Sequence, residues 1–222
     1  IEMPEQGKNH IKFVNHRKQM PAPFAIYADF ESIIKPHEEK FGDKSEIKSK
    51  HEACGFAYTL VRYDGVASPV VKYRGKDAGE KFLKYLKREQ FRINTIFQNP
   101  KPLIMTDENE KDFQSSTKCW ICNKELLDDK VRDHCHIKGD FRGAAHNNCN
   151  IKLRIKPWVT PIPVVFHNLK GYDSHLIFQH IAKESGRITC IPNNTEKYIS
   201  FSLGQLRFLD SFQFMASSLA KL

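Results

Sequence analysis

The chain has 222 residues, enough to bury one hydrophobic core and a smaller satellite domain. Its formal net charge of +9 favours a polyanionic partner, above all nucleic acid. A mean hydropathy of -0.53, without an apolar run near the roughly 20 residues that span a bilayer, excludes a transmembrane helix and predicts no membrane partner.

The N-terminal part begins with a basic arm and continues into a buried strand. Residues 1–20 lack hydrophobic periodicity, whereas the apolar run 24–28 predicts a strand that Asp29 and Glu31 follow directly. Residues two apart on a strand point to one face, so these carboxylates suit a shared divalent metal. Exposed acids at an ordinary strand exit are the alternative.

A hairpin is predicted next. Residues 35–50 are charged and contain Gly and Ser, which is typical of a solvated loop. The runs 55–63 and 68–73 predict two strands, and Asp64-Gly65 between them is a strong hairpin signal.

A long helix precedes the cysteine-rich segment. Asp77 and Glu80 form a capping-box pattern, and the helix should end before Pro100. Its predicted apolar stripe is Phe82, Leu83, Leu86, Ile93 and Phe97. Polar connectors at 100–117 and 155–161 lead into and out of the cysteine-rich segment.

Alternating strands and helices return after this segment. The predicted elements are a strand at 162–167, a helix bearing Leu176 and Ile177, and strands at 187–191, 198–203 and 206–214. The chain therefore predicts a mixed α/β sheet interrupted by a small module.

The segment 119–150 holds four of the six cysteines. A CxxC at Cys119 and Cys122 is answered by an HxxC at His146 and Cys149, which is the ligand set and spacing of a structural zinc. The other cysteines, apart from Cys135, are isolated in strand-like runs, which favours a reducing, intracellular setting over a disulfide scaffold.

Cationic residues surround this segment. Between 130 and 156 the chain carries seven Lys or Arg against two acids. This balance predicts a phosphate-facing surface, and an ordinary solvated face is the alternative.

Three segments carry a resemblance to a known family. AIYADFES and FHNLKGYDSHLI resemble the first and second exonuclease motifs of family B DNA polymerases, especially the protein-primed branch. RFLDSFQFMASSLAKL is similar to the segment of that branch that holds the single-stranded primer end. Nearly the whole chain resembles the exonuclease region of polymerases carried by Maverick or Polinton-like mobile elements.

This resemblance implies a ribonuclease H-like (DnaQ-like) fold and a metal-dependent 3′-to-5′ exonuclease. By position, Asp29, Glu31 and Asp173 would bind catalytic Mg²⁺ or Mn²⁺ ions, which in such sites lie about 3.5 to 4 Å apart and activate water. The implied contacts to the single-stranded 3′ end are Ser32, Asn168, Tyr172, Ser211 and Phe212.

The chain departs from the family pattern twice. Gly171 is inserted relative to the tightest second motif, which would shift Asp173 slightly, and the third motif, a Tyr followed closely by a metal-binding Asp, does not occur before Leu222. We therefore expect an N-terminal polymerase fragment without the palm, with little exonuclease activity in isolation. The remainder of the polymerase chain would be its partner.

The segment RDHCHIKGDFRGAAHNNCN resembles the active segment of the phage recombination endonuclease VII group, a branch of the ββα-metal or HNH nucleases. The resemblance covers about residues 118–154. It implies zinc on the Cys3His set, Mg²⁺ on Asp133 and Asn150, and His134 as the general base. His136 and Arg142 would contact phosphate.

This second pattern also has departures. His146 replaces a more usual cysteine, which preserves a zinc site, and Cys135 replaces an acid and adds a spare ligand. A zinc knuckle that only stabilises a loop or grips DNA is the alternative to a nuclease.

We therefore expect four regions: a basic arm at 1–20, the exonuclease domain at 21–105 and 157–222, and an inserted ββα-metal zinc domain at 106–156. The expected function is proofreading and DNA binding within a DNA-directed DNA polymerase, in a nuclear setting. The alternatives are a Mg²⁺-dependent endonuclease for branched DNA and a non-catalytic zinc DNA-binding remnant of a mobile element.

Overall fold

The computed structural model describes residues 3, 5–7, 15–41, 45–194 and 198–221. The chain divides into two compact units. The Cys-rich unit contains Asn99–Lys156 and the described residues up to Pro21, and the sheet unit contains Ala22–Gln98 and the described residues from Pro157 onward. The predicted zinc domain, 106–156, thus lies within a unit whose main segment starts earlier, at Asn99. Half of the predicted arm, residues 1, 2, 4 and 8–14, falls outside the described residues.

The strands and helices of the two units are numbered here in chain order. The strands are β1 Phe24–Phe41, β2 Ser45–Arg62, β3 Val71–Arg74, β4 Lys130–His134, β5 Phe141–His146, β6 Ile162–Phe166, β7 Ile188–Pro192, β8 Tyr198–Leu203 and β9 Leu206–Asp210. The helices are α1 Ala78–Gln98, α2 Asp107–Ser115, α3 Asn147–Lys152 and α4 Asp173–Ile181.

A seven-stranded mixed sheet forms the sheet unit, in the order β3-β2-β1-β6-β9-β8-β7. The three central strands are parallel: Ile26 of β1 is level with Val164 of β6, and Phe166 of β6 is level with Asp210 of β9. The outer strands pair antiparallel. The carboxyl ends of β6 and β9 therefore lie beside the segment of β1 that carries Asp29 and Glu31, and β1 continues past this edge to Phe41 rather than ending before Asp29. The predicted mixed α/β sheet is confirmed.

Aromatic side chains dominate the core between sheet and helices. Phe30 stacks parallel to Phe166 with ring centroids 6.1 Å apart, and Phe82 of α1 meets Phe30 edge-on at 4.8 Å. The stripe predicted for α1 is buried, with Phe97 the most accessible of its five members at 8 %. Apolar burial by this stripe is what attaches α1 to the sheet.

Two predicted loops are wrong. Residues 35–50 lie largely in a long antiparallel ribbon of β1 and β2, in which Lys35 pairs with Lys50 and Lys40 with Glu46. Oppositely charged side chains on the two strands stabilise this exposed ribbon; for example, Nζ of Lys35 lies 2.5 Å from a carboxylate oxygen of Glu52. The β-branched isoleucines also favour the strand conformation. The segment 100–117 contains α2, because Thr106 and Asn109 form a reciprocal capping box.

The predicted strand 206–214 also ends early. The β9 strand stops at Asp210, whose side chain accepts the Phe212 N–H over 3.0 Å and starts a 3-10 turn, Ser211–Gln213. No helix among the described residues is long and apolar enough to cross a membrane.

The Cys-rich unit is built on a β-β-α sequence of elements. Strands β4 and β5 pair antiparallel, and α3 follows β5 without a loop. The chain entering the unit docks on the β4–β5 turn: the Lys101 N–H donates to the His136 carbonyl and the Ile104 N–H to the Gly139 carbonyl, each over 2.8 Å.

Candidate functional site

The four predicted zinc ligands come together in the Cys-rich unit. The ligand atoms of Cys119, Cys122, His146 and Cys149 all lie within 4.8 Å of one another. The Nδ1 atom of His146 is 3.5 Å from the Cys122 sulfur and 3.9 Å from the Cys149 sulfur. These four residues are called the Cys3His cluster below. Three thiolates and one imidazole in this arrangement could hold one zinc ion.

Local backbone geometry brings each pair of ligands together. Between the first two cysteines the chain turns tightly: the Asn123 N–H donates to the Cys119 carbonyl over 2.8 Å, and Asn123 has a left-handed φ of 58°. His146 ends β5, and Cys149 lies in the first turn of α3. Each pair is thus preformed by contacts within a few residues.

The tautomer of His146 also fits a metal. Its Nε2 lies 2.8 Å from the Glu125 carbonyl oxygen, so Nε2 carries the proton and donates. Nδ1 is then left with a lone pair that points toward the sulfurs. A carbonyl that orients a histidine in this way is the usual outer contact of a protein zinc site.

The thiols of the cluster differ in acidity. Burial acts to raise the pKa of Cys119, but backbone N–H groups, first that of Cys122 and then that of His146, lower it to about 7. Burial and the neighbouring thiols raise the pKa of Cys149 to about 12. A cation that binds thiolates would relieve this mutual repulsion, which agrees with the donor set.

The proposed endonuclease carboxylate is already paired. Asp133 is fully buried, and its two oxygens accept from the Arg142 guanidinium, each over 2.8 Å. The Trp120 ring N–H donates to the same carboxylate over 3.1 Å. A divalent cation could reach Asp133 only by displacing this bidentate ion pair.

The other endonuclease candidates lie around this pair. The rings of His134 and His136 are 4.8 Å apart, and burial, followed by His134, lowers the pKa of His136. Asn150 is half-buried in α3. Cys135 is buried and is not a member of the Cys3His cluster.

At least four of the seven cationic side chains at 130–156 have partners within the unit, which reduces the charge available to phosphate. They are Lys130 with the Gln114 and Ser116 carbonyls, Arg132 with Glu110, Lys138 with Asp140, and Arg142 with Asp133.

The sheet unit gathers four acids where β6 and β9 end beside β1. Asp29 and Glu31 lie on β1 and are exposed, Asp173 opens α4 after β6, and Asp210 ends β9. These four residues are called the acidic edge below. Asp29, Glu31 and Asp173 were predicted as metal ligands, and Asp210 was not assigned any role.

Electrostatic coupling shows that these acids influence one another. Burial, followed by the charges of Asp29 and Asp210, raises the pKa of Asp173 to about 7. Although Asp29 is exposed by surface area, partial desolvation by the surrounding protein, followed by the charge of Glu31, raises its pKa. Asp173 is only 3 % exposed, and its Oδ1 has no hydrogen-bond partner.

At the acidic edge, one oxygen of the buried Asp173 carboxylate therefore has no hydrogen-bond donor. Among the described residues, the Cys3His cluster is the only group of three or more His, Cys, Asp and Glu ligands assembled for a metal, so the acids are not preassembled to the same degree. A buried carboxylate oxygen without a donor is costly unless a cation or donor completes it. The oxygen-only ligand set fits Mg²⁺ or Mn²⁺.

Tyr172 joins one other predicted contact, Ser32, to His51, a histidine with no role predicted from the sequence. The hydroxyl groups of Tyr172 and Ser32 hydrogen-bond with each other, and Nδ1 of His51 lies 2.9 Å from the Tyr172 oxygen. The His51 ring also meets the Tyr172 ring edge-on at 5.4 Å. Only the pairing of β2 with β1 brings His51 here, opposite Ile34.

The remaining predicted contacts differ in accessibility. The Ser211 hydroxyl is buried, where it donates to the Phe166 carbonyl over 3.1 Å and lies 3.0 Å from Nδ1 of His167. Phe212 is 42 % exposed. Asn168 begins the loop before α4 in a left-handed conformation, with φ of 72°.

Gly171 belongs to the same loop. Its N–H donates to the Asn168 carbonyl over 3.0 Å, and a Cβ at this position would lie 2.4 Å from the Asn168 side-chain oxygen. The inserted glycine thus makes room for the Asn168 side chain.

Comparison of the chain with protein-family models, with curated proteins and with solved structures gave no match.

Proposed function

We propose that the sheet unit is a 3′-to-5′ exonuclease module of a family B-type DNA polymerase, with the acidic edge as its catalytic centre. The observation that carries this proposal is Asp173. Its carboxylate is buried, one oxygen is unpartnered, and like charges surround it. Folded proteins keep such costly groups mainly where function requires them.

The strand order supports a ribonuclease H-like fold. An antiparallel β1–β2–β3 meander is followed by β6 and β9, both parallel to β1 and added on its other side. In open α/β sheets, ligands bind outside the carboxyl ends of the parallel strands, which is where the acidic edge lies.

In this proposal each residue has a defined role. Asp29, Glu31 and Asp173 would hold the divalent ions, which when bound would supply an activated water and stabilise the leaving 3′ oxygen. Tyr172 and the exposed Phe212 offer ring faces to unpaired bases. The net charge of +9 favours DNA as the partner. In this proposal the substrate is a single-stranded 3′ end, the setting is nuclear, and the remainder of the polymerase chain is the second partner.

Two readouts on the zinc-loaded chain test the proposal. A mismatched primer labelled at its 5′ end is incubated with Mn²⁺, and Mn²⁺ binding is measured by calorimetry. Asp29→Asn and Asp173→Asn should each lower Mn²⁺ affinity by about tenfold or more, and any 3′ degradation should fall by at least about a hundredfold.

Asp64→Asn is the matched control, because Asp64 follows Arg62, which pairs with Phe24 at the start of β1, away from the acidic edge. Undiminished Mn²⁺ binding and 3′ degradation in both acidic-edge variants would overturn the exonuclease assignment.

A second candidate function rests on the Cys-rich unit, whose β4–β5–α3 order carries the Cys3His cluster beside Asp133 and His134. The ion pair of Asp133 with Arg142 weighs against it. Mg²⁺-dependent nicking of branched DNA that disappears in His134→Ala would establish the endonuclease. DNA binding without cleavage in any assay would favour a non-catalytic remnant.

A further inference from the structure

We propose that Asp210 is a positioning residue of the acidic edge, which fixes the loop 168–172 and the turn that carries Phe212. Its kinetic consequence rests on the proposed exonuclease function, whereas its structural consequence does not. Asp210 lies within the segment RFLDSFQFMASSLAKL but was assigned no role there, unlike the adjacent Ser211 and Phe212.

Both oxygens of the Asp210 carboxylate accept hydrogen bonds from backbone N–H groups. Its Oδ1 accepts the N–H of Asn168 over 2.9 Å and the N–H of Phe212 over 3.0 Å, and its Oδ2 accepts the N–H of Lys170 over 2.9 Å. The side chain is buried, with 4 % exposed. Three backbone donors thus satisfy both oxygens of this buried carboxylate.

The loop needs this support. It must connect β6 to α4 in a few residues, and Asn168 adopts a left-handed φ of 72°, which is unfavourable for a residue other than glycine. Hydrogen bonds to the N–H groups on either side of Leu169, which is itself buried, hold this turn. The loop ends at Tyr172 and leads directly into Asp173.

The same carboxylate joins two segments that are far apart in sequence. Through Asn168 and Lys170 it holds the loop before α4, and through Phe212 it holds the 3-10 turn after β9. Tyr172 and Phe212, the two proposed base contacts, are thus set relative to each other by one side chain.

Both oxygens of Asp210 are occupied by backbone donors, whereas Asp173 has an oxygen without one. Asp210 therefore acts through the loop and is distinct from the proposed metal ligands. The negative charge of Asp210 also contributes to the raised pKa of Asp173.

Amide hydrogen exchange tests the structural part without any reference to activity. In Asp210→Ala, exchange at the amides of Asn168, Lys170 and Phe212 should accelerate about tenfold or more, because each loses its acceptor. In Asp210→Asn, Lys170 should accelerate most, since the side-chain NH2 group cannot accept its N–H. Asp64→Asn, in the turn beside the start of β1, should leave these three amides unchanged.

Kinetics and metal binding distinguish positioning from ligation. In Asp210→Asn, kcat for 3′ degradation should fall by about ten- to a hundredfold, while Mn²⁺ affinity changes by less than about tenfold. Unchanged exchange of the three amides in Asp210→Ala, or a loss of Mn²⁺ binding in Asp210→Asn as large as in Asp173→Asn, would overturn the proposal. If the wild type neither binds Mn²⁺ nor degrades DNA, the exonuclease assignment fails and amide exchange alone decides the role of Asp210.

Discussion

Two buried aspartates show how differently one residue type can be used. Asp133 is fully buried and bonded to Arg142 and Trp120, while Asp173 is buried with an unpartnered oxygen and like charges nearby. The first is built to stabilise the metal-free protein, and the second costs stability. Only the arrangement of Asp173 is expected of a carboxylate whose function is to bind a cation.

The two aspartates should therefore respond in opposite directions to the same change. In zinc-loaded protein at pH 8 without other divalent ions, Asp173→Asn should raise the free energy of unfolding by about 1 to 3 kcal/mol, because repulsion and an unpaired charge are removed. Asp133→Asn should lower it by about 2 to 4 kcal/mol, because it leaves the half-buried guanidinium of Arg142 without its carboxylate. Urea denaturation measures both, and destabilisation by Asp173→Asn comparable to that by Asp133→Asn would contradict the interpretation of Asp173.

His51 gives a second prediction at this scale. Because it bonds to the Tyr172 hydroxyl, His51→Ala should reduce kcat/KM for a single-stranded 3′ end by about three- to tenfold if Tyr172 contacts DNA. Tyr172→Phe, which keeps the ring and removes the hydroxyl, should give a similar loss, and the double variant should add little more. Fully additive losses in single-turnover kinetics would show that the two residues act separately.

At the scale of elements, the β4–β5 turn depends on a glycine for two reasons. Gly139 has φ of 92°, and a Cβ there would lie 2.5 Å from the backbone oxygen of Pro102. This close approach lets Lys101 and Ile104 pair with the turn. Because the Pro102 oxygen belongs to the backbone, it cannot move away from an added Cβ as the end of a flexible side chain could.

Gly139→Ala should consequently destabilise the Cys-rich unit by about 2 to 4 kcal/mol, the sum of a left-handed φ and a backbone clash. Gly65→Ala is the matched control, because Gly65 has a similar φ of 84° and open space around it. It should cost its own unit only about 1 kcal/mol. Equal losses in denaturant titrations of the two variants would show that the contact with Pro102 is unimportant.

For the whole molecule, the Cys3His cluster predicts a division of stability between the two units. The sheet unit has its own aromatic core, whereas the Cys-rich unit buries few large side chains among its described residues. Structural zinc sites commonly supply the folding free energy of such small units. Chelation of zinc should therefore unfold the Cys-rich unit and leave the amides of β1, β6 and β9 protected from exchange.

Cysteine variants identify the ligands. Cys122→Ser should reduce zinc, measured by elemental analysis, from one ion per chain to well below one, and should reproduce the effect of chelation. Cys135→Ser should retain the ion, because Cys135 lies outside the cluster. Loss of zinc in Cys135→Ser would instead make Cys135 a ligand.

Features set within a few residues were predictable from the sequence. The CxxC and HxxC pairs are closed by tight local geometry, so spacing alone brings each pair together, and the stripe of α1 follows from the helical period. The mixed α/β sheet was predictable from the alternation of apolar runs. The ribbon at 35–50 was not, because exposed strands are stabilised by cross-strand pairs that composition does not reveal.

The roles of individual side chains at the acidic edge and beside the zinc ligands depend on contacts between distant segments. The sequence by itself determined which residues could bind a metal, since ligand chemistry and short spacing are local properties. Tertiary structure alone decided that Arg142 neutralises Asp133, that Asp173 keeps an unpartnered oxygen, and that Asp210 holds the loop before it. Burial and pairing across 9 to 42 residues of sequence set those outcomes, because they fix which charges meet a partner and which do not.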